Sequence, residues 1–195
     1  LSVLREDIGL EIKARFNPKL RTILNNKNQY PDTMIQALYR NEELIDFVYN
    51  YPSKKGHVYT NIIGPVTKGR YPLLLQYDQR WGYGKYGYNV IGMNGCGPTS
   101  AAMTIAGLTG RNNITPYDVA SYAYNHGYYQ DGTSWAFFTE GMKHYGIHGI
   151  NIALSYSSMK NEIMNGIPLI CSMKQGDITT TGHLIVIRGM KQGMF

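Results

Sequence analysis

The chain has 195 residues, of which 43% are hydrophobic and 16% charged, a composition that can bury a core and does not resemble a disordered protein. Its formal net charge is +6, but the basic residues are scattered and form no recognition signature, which argues against a nucleic-acid partner. No apolar run approaches the roughly 20 residues that span a membrane, and two cysteines are too few for a disulfide framework.

The first 70 residues predict a helical extension followed by a connector. One helix is expected at about 32–40, and a second is expected after Asn41, with its apolar positions on one face and its end at Pro52. Residues 52–71 are rich in Gly, Pro and Lys and predict the connector. We therefore expect two domains, an N-terminal extension over 1–70 and a main domain over 71–195.

The main domain predicts helices first and strands afterwards. Residues 71–76 predict a short buried strand, and residues 82–88, rich in Tyr and Gly, predict an ordered loop. Helices are expected at about 96–108, 115–125, 134–145 and 158–165, and strands at 167–173 and 183–188, with a third strand beginning at Met194. This order predicts an α+β fold in which helices pack on an antiparallel sheet.

Cys96 lies where a loop becomes a helix, between Gly95 and Gly97. A helix begins with unpaired N–H groups and a partial positive charge, which stabilise a thiolate and favour a nucleophile. The two glycines are interpreted as keeping side chains away from an approaching substrate. Cys171, by contrast, lies in an apolar strand and is interpreted as a small hydrophobic residue.

A nucleophilic cysteine needs a base within hydrogen-bond reach, and His183 is the best candidate among five histidines. It opens an apolar strand, where a polar ring requires a partner, whereas the other four lie in the connector or near helix ends. No paired ligand spacing accompanies Cys96, Cys171 and His183, so we expect neither a metal nor a cofactor.

Three segments together resemble a known family. They are residues 72–81 (PLLLQYDQRW), 95–103 (GCGPTSAAM) and 182–187 (GHLIVI). In this order they are similar to papain-like cysteine peptidases related to bacteriocin leader-processing domains, and most of all to the stand-alone bacterial branch. The resemblance covers about 70–195. It implies a papain-like fold, a peptide or protein substrate, and a secreted or surface-attached enzyme that contacts the cell surface or wall.

The resemblance also implies roles for individual residues. Cys96 would be the nucleophile, and His183 its base and later the acid for the leaving amine. The oxyanion hole would combine the Cys96 N–H with a glutamine side chain, for which Gln76 is the better candidate and Gln79 the alternative. Asp78 and Trp81 are expected to fix the intervening loop.

One expected residue is absent from the chain. The family has an Asp or Asn on the strand after the histidine, whereas here no residue after His183 fits, and Asp177 is a substitute at a different position. We expect the third residue beyond Phe195, in a domain incomplete at its C-terminal end; a Cys–His dyad is the alternative. Two rival functions remain open: acyl transfer on the same scaffold, and a catalytically degenerate module that binds peptide or cell wall.

Overall fold

The computed structural model describes residues 9–174 and 182–195 of the chain. By its internal contacts the protein divides into two compact units, one ending at His57 and the other running from Val58 to Phe195. None of the described helices is both long and apolar enough to cross a membrane.

The first unit is helical. Residues 9–14 are helical and precede α1 (Pro18–Asn25), α2 (Asp32–Arg40) and α3 (Ile45–Lys54), with 3-10 turns at Lys27–Gln29 and Glu42–Leu44. The predicted helix at 32–40 is confirmed. The prediction that Pro52 ends the next helix is wrong, because α3 continues to Lys54. A proline there removes one hydrogen bond from the last turn, while the Phe47, Val48 and Tyr51 side chains of the same helix stay buried.

The second unit contains the remaining elements in chain order: β1 (Lys85–Tyr86), β2 (Asn89–Val90), α4 (Ile91–Asn94), α5 (Cys96–Thr109), α6 (Pro116–Asn125), α7 (Trp135–Thr139), α8 (Tyr156–Met164), β3 (Leu169–Met173) and β4 (His183–Ile187). The helix beginning at Cys96 is confirmed. So is the helix start after Thr115, where Thr115 and Asp118 form a reciprocal capping box. The helix predicted at 134–145 is interrupted at Glu140 and continues as a 3-10 turn, Gly141–Tyr145.

Two predictions upstream of Cys96 are wrong. No strand forms over 71–76, where Leu74 is buried but Leu73 is 82% exposed. The apolar run over 71–76 therefore does not form the predicted buried strand. Conversely, the predicted loop at 82–88 contains β1, which pairs with β2 across a turn at Gly87. Gly87 adopts φ +62°, a conformation that glycine reaches at low cost.

Helix α5 lies at the centre of the second unit. Its Ala101, Ala102 and Ile105 side chains are fully buried and share a core with α6 and with aromatic side chains, among them Trp81 and Phe137. Strands β3 and β4 pair antiparallel, from Leu169 opposite Ile187 to Met173 opposite His183, and their Ile170 and Leu184 side chains pack on this core. This mixture of helices and antiparallel strands is compatible with the α+β prediction. Met194, expected to open a third strand, forms an isolated bridge with Lys191.

Candidate active site

Cys96 is half-buried and is the first residue of α5. The first bond of the helix runs from the Thr99 N–H to the Gly95 carbonyl oxygen, at 2.9 Å. Pro98 has no N–H, so Cys96 and Gly97 supply the N–H groups that precede this first helical bond. These groups and the helix dipole favour negative charge at the end of α5 that carries Cys96.

The glycines beside Cys96 are buried, and each is packed against a neighbour. A Cβ atom on Gly97 would lie 2.6 Å from Cβ of Thr133, and one on Gly95 would lie 2.5 Å from the Ile91 carbonyl oxygen. The two glycines let the Thr133 loop and the preceding turn pack tightly on both sides of Cys96. The interpretation that they clear a path for substrate does not include this packing role.

A pair of hydroxyl groups lies on the Thr133 side of Cys96. The Tyr86 hydroxyl and Thr133 Oγ1 are 2.7 Å apart, and Tyr86 is 1% exposed. Burial raises the pKa of Tyr86 to about 12, and negative charge on Cys96 adds to the rise. The phenol therefore stays protonated at neutral pH and can donate to Thr133, which leaves the threonine hydrogen for another acceptor.

Gln76 is half-buried, and its amide nitrogen donates to the Gly92 carbonyl oxygen at 3.0 Å. Gly92 belongs to α4, one turn before Cys96. The contact therefore holds the glutamine amide near the beginning of α5. It uses one of the two hydrogens that an amide nitrogen carries, which leaves the other for a second acceptor.

The loop after Gln76 is fixed by Trp81 and Asp78. The fully buried Trp81 ring donates from Nε1 to the Leu75 carbonyl oxygen at 2.9 Å. The Asp78 carboxylate accepts from the Arg80 backbone N–H and pairs with the Arg80 guanidinium. Both residues thus stabilise the turn that follows Gln76.

His183 is the first residue of β4 and is half-buried, and burial lowers its pKa below the ordinary value of 6.5. Its imidazole is therefore neutral near pH 7 and can accept a proton. The Ser100 hydroxyl donates to the Leu184 carbonyl oxygen at 3.3 Å, so the beginning of β4 lies against the first turns of α5.

The imidazole and the sulfur are not joined. Among the described residues no hydrogen bond links Cys96 to His183. Leu184 packs on the core, and successive side chains of a strand leave it on opposite faces. The structure thus brings the beginning of β4 to the first turns of α5, with no hydrogen bond between His183 and Cys96 among the described residues.

The remaining candidates lie elsewhere. Cys171 is opposite Ile185 in the hairpin, and burial raises its pKa above the ordinary 9.0, so its thiol is protonated at neutral pH. Asp177 lies outside the described residues. Within the described ranges, no three His, Cys, Asp or Glu side chains cluster as metal ligands.

Sequence reasoning missed Thr133 and Tyr86 as neighbours of Cys96. Tyr86 lies in the segment predicted as a loop, Thr133 lies between two predicted helices, and their contact spans 47 positions of sequence. The available signal was Gly97 itself, since a glycine in the first turn of a helix can indicate that another group approaches the backbone closely.

Comparison with known proteins supplies one match. Residues 68–194, more than half of the chain, match the model of the Peptidase_C39 like family. No curated protein and no solved structure matches the chain. The matched region contains Gln76, Cys96 and His183, together with α5 and the β3–β4 hairpin. The chain belongs to the Peptidase_C39 like family.

Proposed function

We propose that the protein is a papain-like cysteine peptidase that hydrolyses peptide bonds through Cys96. Family membership supports a peptidase. The observation that carries the proposal is the position of Cys96 at the beginning of α5, with the Gln76 amide held one turn upstream. Activity is assigned to the domain predicted over 71–195.

In the proposed reaction, His183 accepts the Cys96 proton and the sulfur attacks the substrate carbonyl carbon. The resulting oxyanion accepts hydrogen bonds from the Cys96 N–H and from Gln76 Nε2. The C–N bond then breaks as His183 returns its proton to the leaving amine. Water, deprotonated by His183, attacks the thioester, and the acid product leaves with regeneration of the thiol. These reaction steps require the His183 ring to approach Sγ of Cys96. Catalytic hydrogen bonds often tighten only when substrate is bound.

The first test is alkylation by iodoacetamide at neutral pH, followed by peptide mapping. We expect Cys96 to react faster than a model thiol peptide, because the first N–H groups of α5 and the helix dipole favour the negative charge of an attacking sulfur at this end of the helix. Cys171 is the internal control and should react more slowly, since its thiol is protonated. If Cys96 reacts no faster than the model thiol, the peptidase proposal fails and a degenerate binding module is favoured.

Gln76→Ala is expected to lower kcat for peptide hydrolysis by about 10²- to 10³-fold, the usual cost of one oxyanion donor. Gln79→Ala is the matched control and should have a much smaller effect. Unfolding midpoints of both variants separate a catalytic loss from a folding defect. A larger loss in Gln79→Ala than in Gln76→Ala would transfer the role to Gln79.

Adding an amine acceptor to the same assay detects acyl transfer as a new amide product.

A further inference from the structure

Three tyrosines form an aromatic surface on the second unit, which we call the tyrosine face: Tyr88, Tyr124 and Tyr129. The Tyr129 ring is half-buried, and its centroid lies 6.4 Å from that of Tyr88 and 5.7 Å from that of Tyr124. Tyr88 is 93% exposed and Tyr124 is 52% exposed. Aromatic rings grouped in this way on a surface offer ring faces and edges to a ligand.

This face is continuous with the surroundings of Cys96. The Asn94 side-chain amide, two residues before Cys96, donates to the Tyr129 hydroxyl at 3.4 Å. Tyr129 also packs edge-to-face on the buried Tyr86 ring, with centroids 4.9 Å apart. At the other end of the same loop, Thr133 pairs with Tyr129 in an isolated bridge and packs on Gly97. Residues on both sides of Cys96 are therefore in contact with the loop that carries Tyr129.

We propose that the tyrosine face is a substrate subsite that binds an aromatic side chain of the peptide near the scissile bond. The inference rests on the proposed peptidase function. Aromatic pairs prefer edge-to-face or offset contacts. The Tyr129 ring packs on the buried Tyr86 ring and has Tyr88 and Tyr124 as its exposed neighbours. Because Asn94 and Thr133 connect this face to the ends of the Cys96 segment, a peptide bound at Cys96 extends over it.

The test uses four peptidyl chloromethyl ketones, whose chloromethyl carbon is attacked by the Cys96 sulfur, so that an S–C bond forms and chloride leaves. One is acetyl-Ala-Ala-Ala, and the other three carry a single phenylalanine at each position in turn. We expect one phenylalanine probe to alkylate Cys96 about three- to tenfold faster than the alanine probe, the range expected of an aromatic pair. The Tyr88→Ala/Tyr124→Ala variant should lose this preference, and Tyr88→Phe/Tyr124→Phe should keep it. Tyr156→Ala, at 53% exposed a match for Tyr124, is the control and should keep it as well.

The outcomes separate the subsite from the activity. If iodoacetamide labels Cys96 rapidly but no phenylalanine probe is preferred, or the double alanine variant retains the preference, the subsite is wrong and the peptidase proposal stands. If iodoacetamide reacts no faster with Cys96 than with a model thiol, both proposals fall. Protection of Cys96 by chitotetraose but not by N-acetyl-phenylalaninamide would assign the face to glycan and overturn the peptide subsite.

Discussion

Replacing Cys96 or His183 with alanine is expected to reduce peptide hydrolysis by about 10³-fold or more, and the double variant is expected to be no slower than either single variant. In the proposed mechanism Cys96 and His183 act as one unit, so once either is removed the other contributes nothing further. The measurement is kcat/KM on a casein-derived peptide mixture, with unfolding curves for each variant.

Matched controls exist for both substitutions. Cys171→Ala removes the other cysteine, and His144→Ala removes a histidine whose ring stacks on Tyr122 at 4.1 Å. Both controls should retain activity. If the losses in Cys96→Ala and His183→Ala instead multiply in the double variant, the two residues act independently and the dyad is wrong. Full activity in His183→Ala would assign the base to another residue.

Trp81→Ala is expected to lower the free energy of unfolding by about 3–5 kcal/mol, the range found for removing a large aromatic side chain from a core. The Trp81 ring is fully buried, and its Nε1 donates to the Leu75 carbonyl oxygen beside Gln76, an oxygen that also accepts from the Asp78 N–H. We therefore expect hydrolysis to fall as well, since the Gln76 amide loses its support. Urea unfolding followed by circular dichroism measures the first effect.

Trp135→Ala provides the control for this prediction. Trp135 is 53% exposed, so its removal should change the free energy of unfolding by less than about 1 kcal/mol. Trp81→Phe should cost less than Trp81→Ala, because it keeps most of the packing but loses the bond to Leu75. Equal stability of Trp81→Ala and Trp135→Ala would contradict the buried position assigned to Trp81.

Local signals in the sequence predicted local structure well. Thr115, Pro116 and Asp118 carry a complete capping box within four positions, and the helix begins where they indicate. The placement of Gln76 depends on Gly92, 16 positions away, and that of β4 depends on Ser100, 84 positions from Leu184. No local pattern encodes such pairings. The strand predicted at 71–76 failed for a related reason, since hydrophobicity alone does not show that Leu73 has no neighbour to cover it.

The contact between Gly97 and Thr133 also constrains how this sequence can change over time. Any side chain at position 97 would occupy the space of the Thr133 side chain, so a larger residue at 97 is compatible only with a smaller one at 133. A side chain can therefore be added at position 97 only with a compensating change 36 positions further along the chain. Position 133 is thus coupled by packing to the segment around Cys96, although no sequence motif connects them.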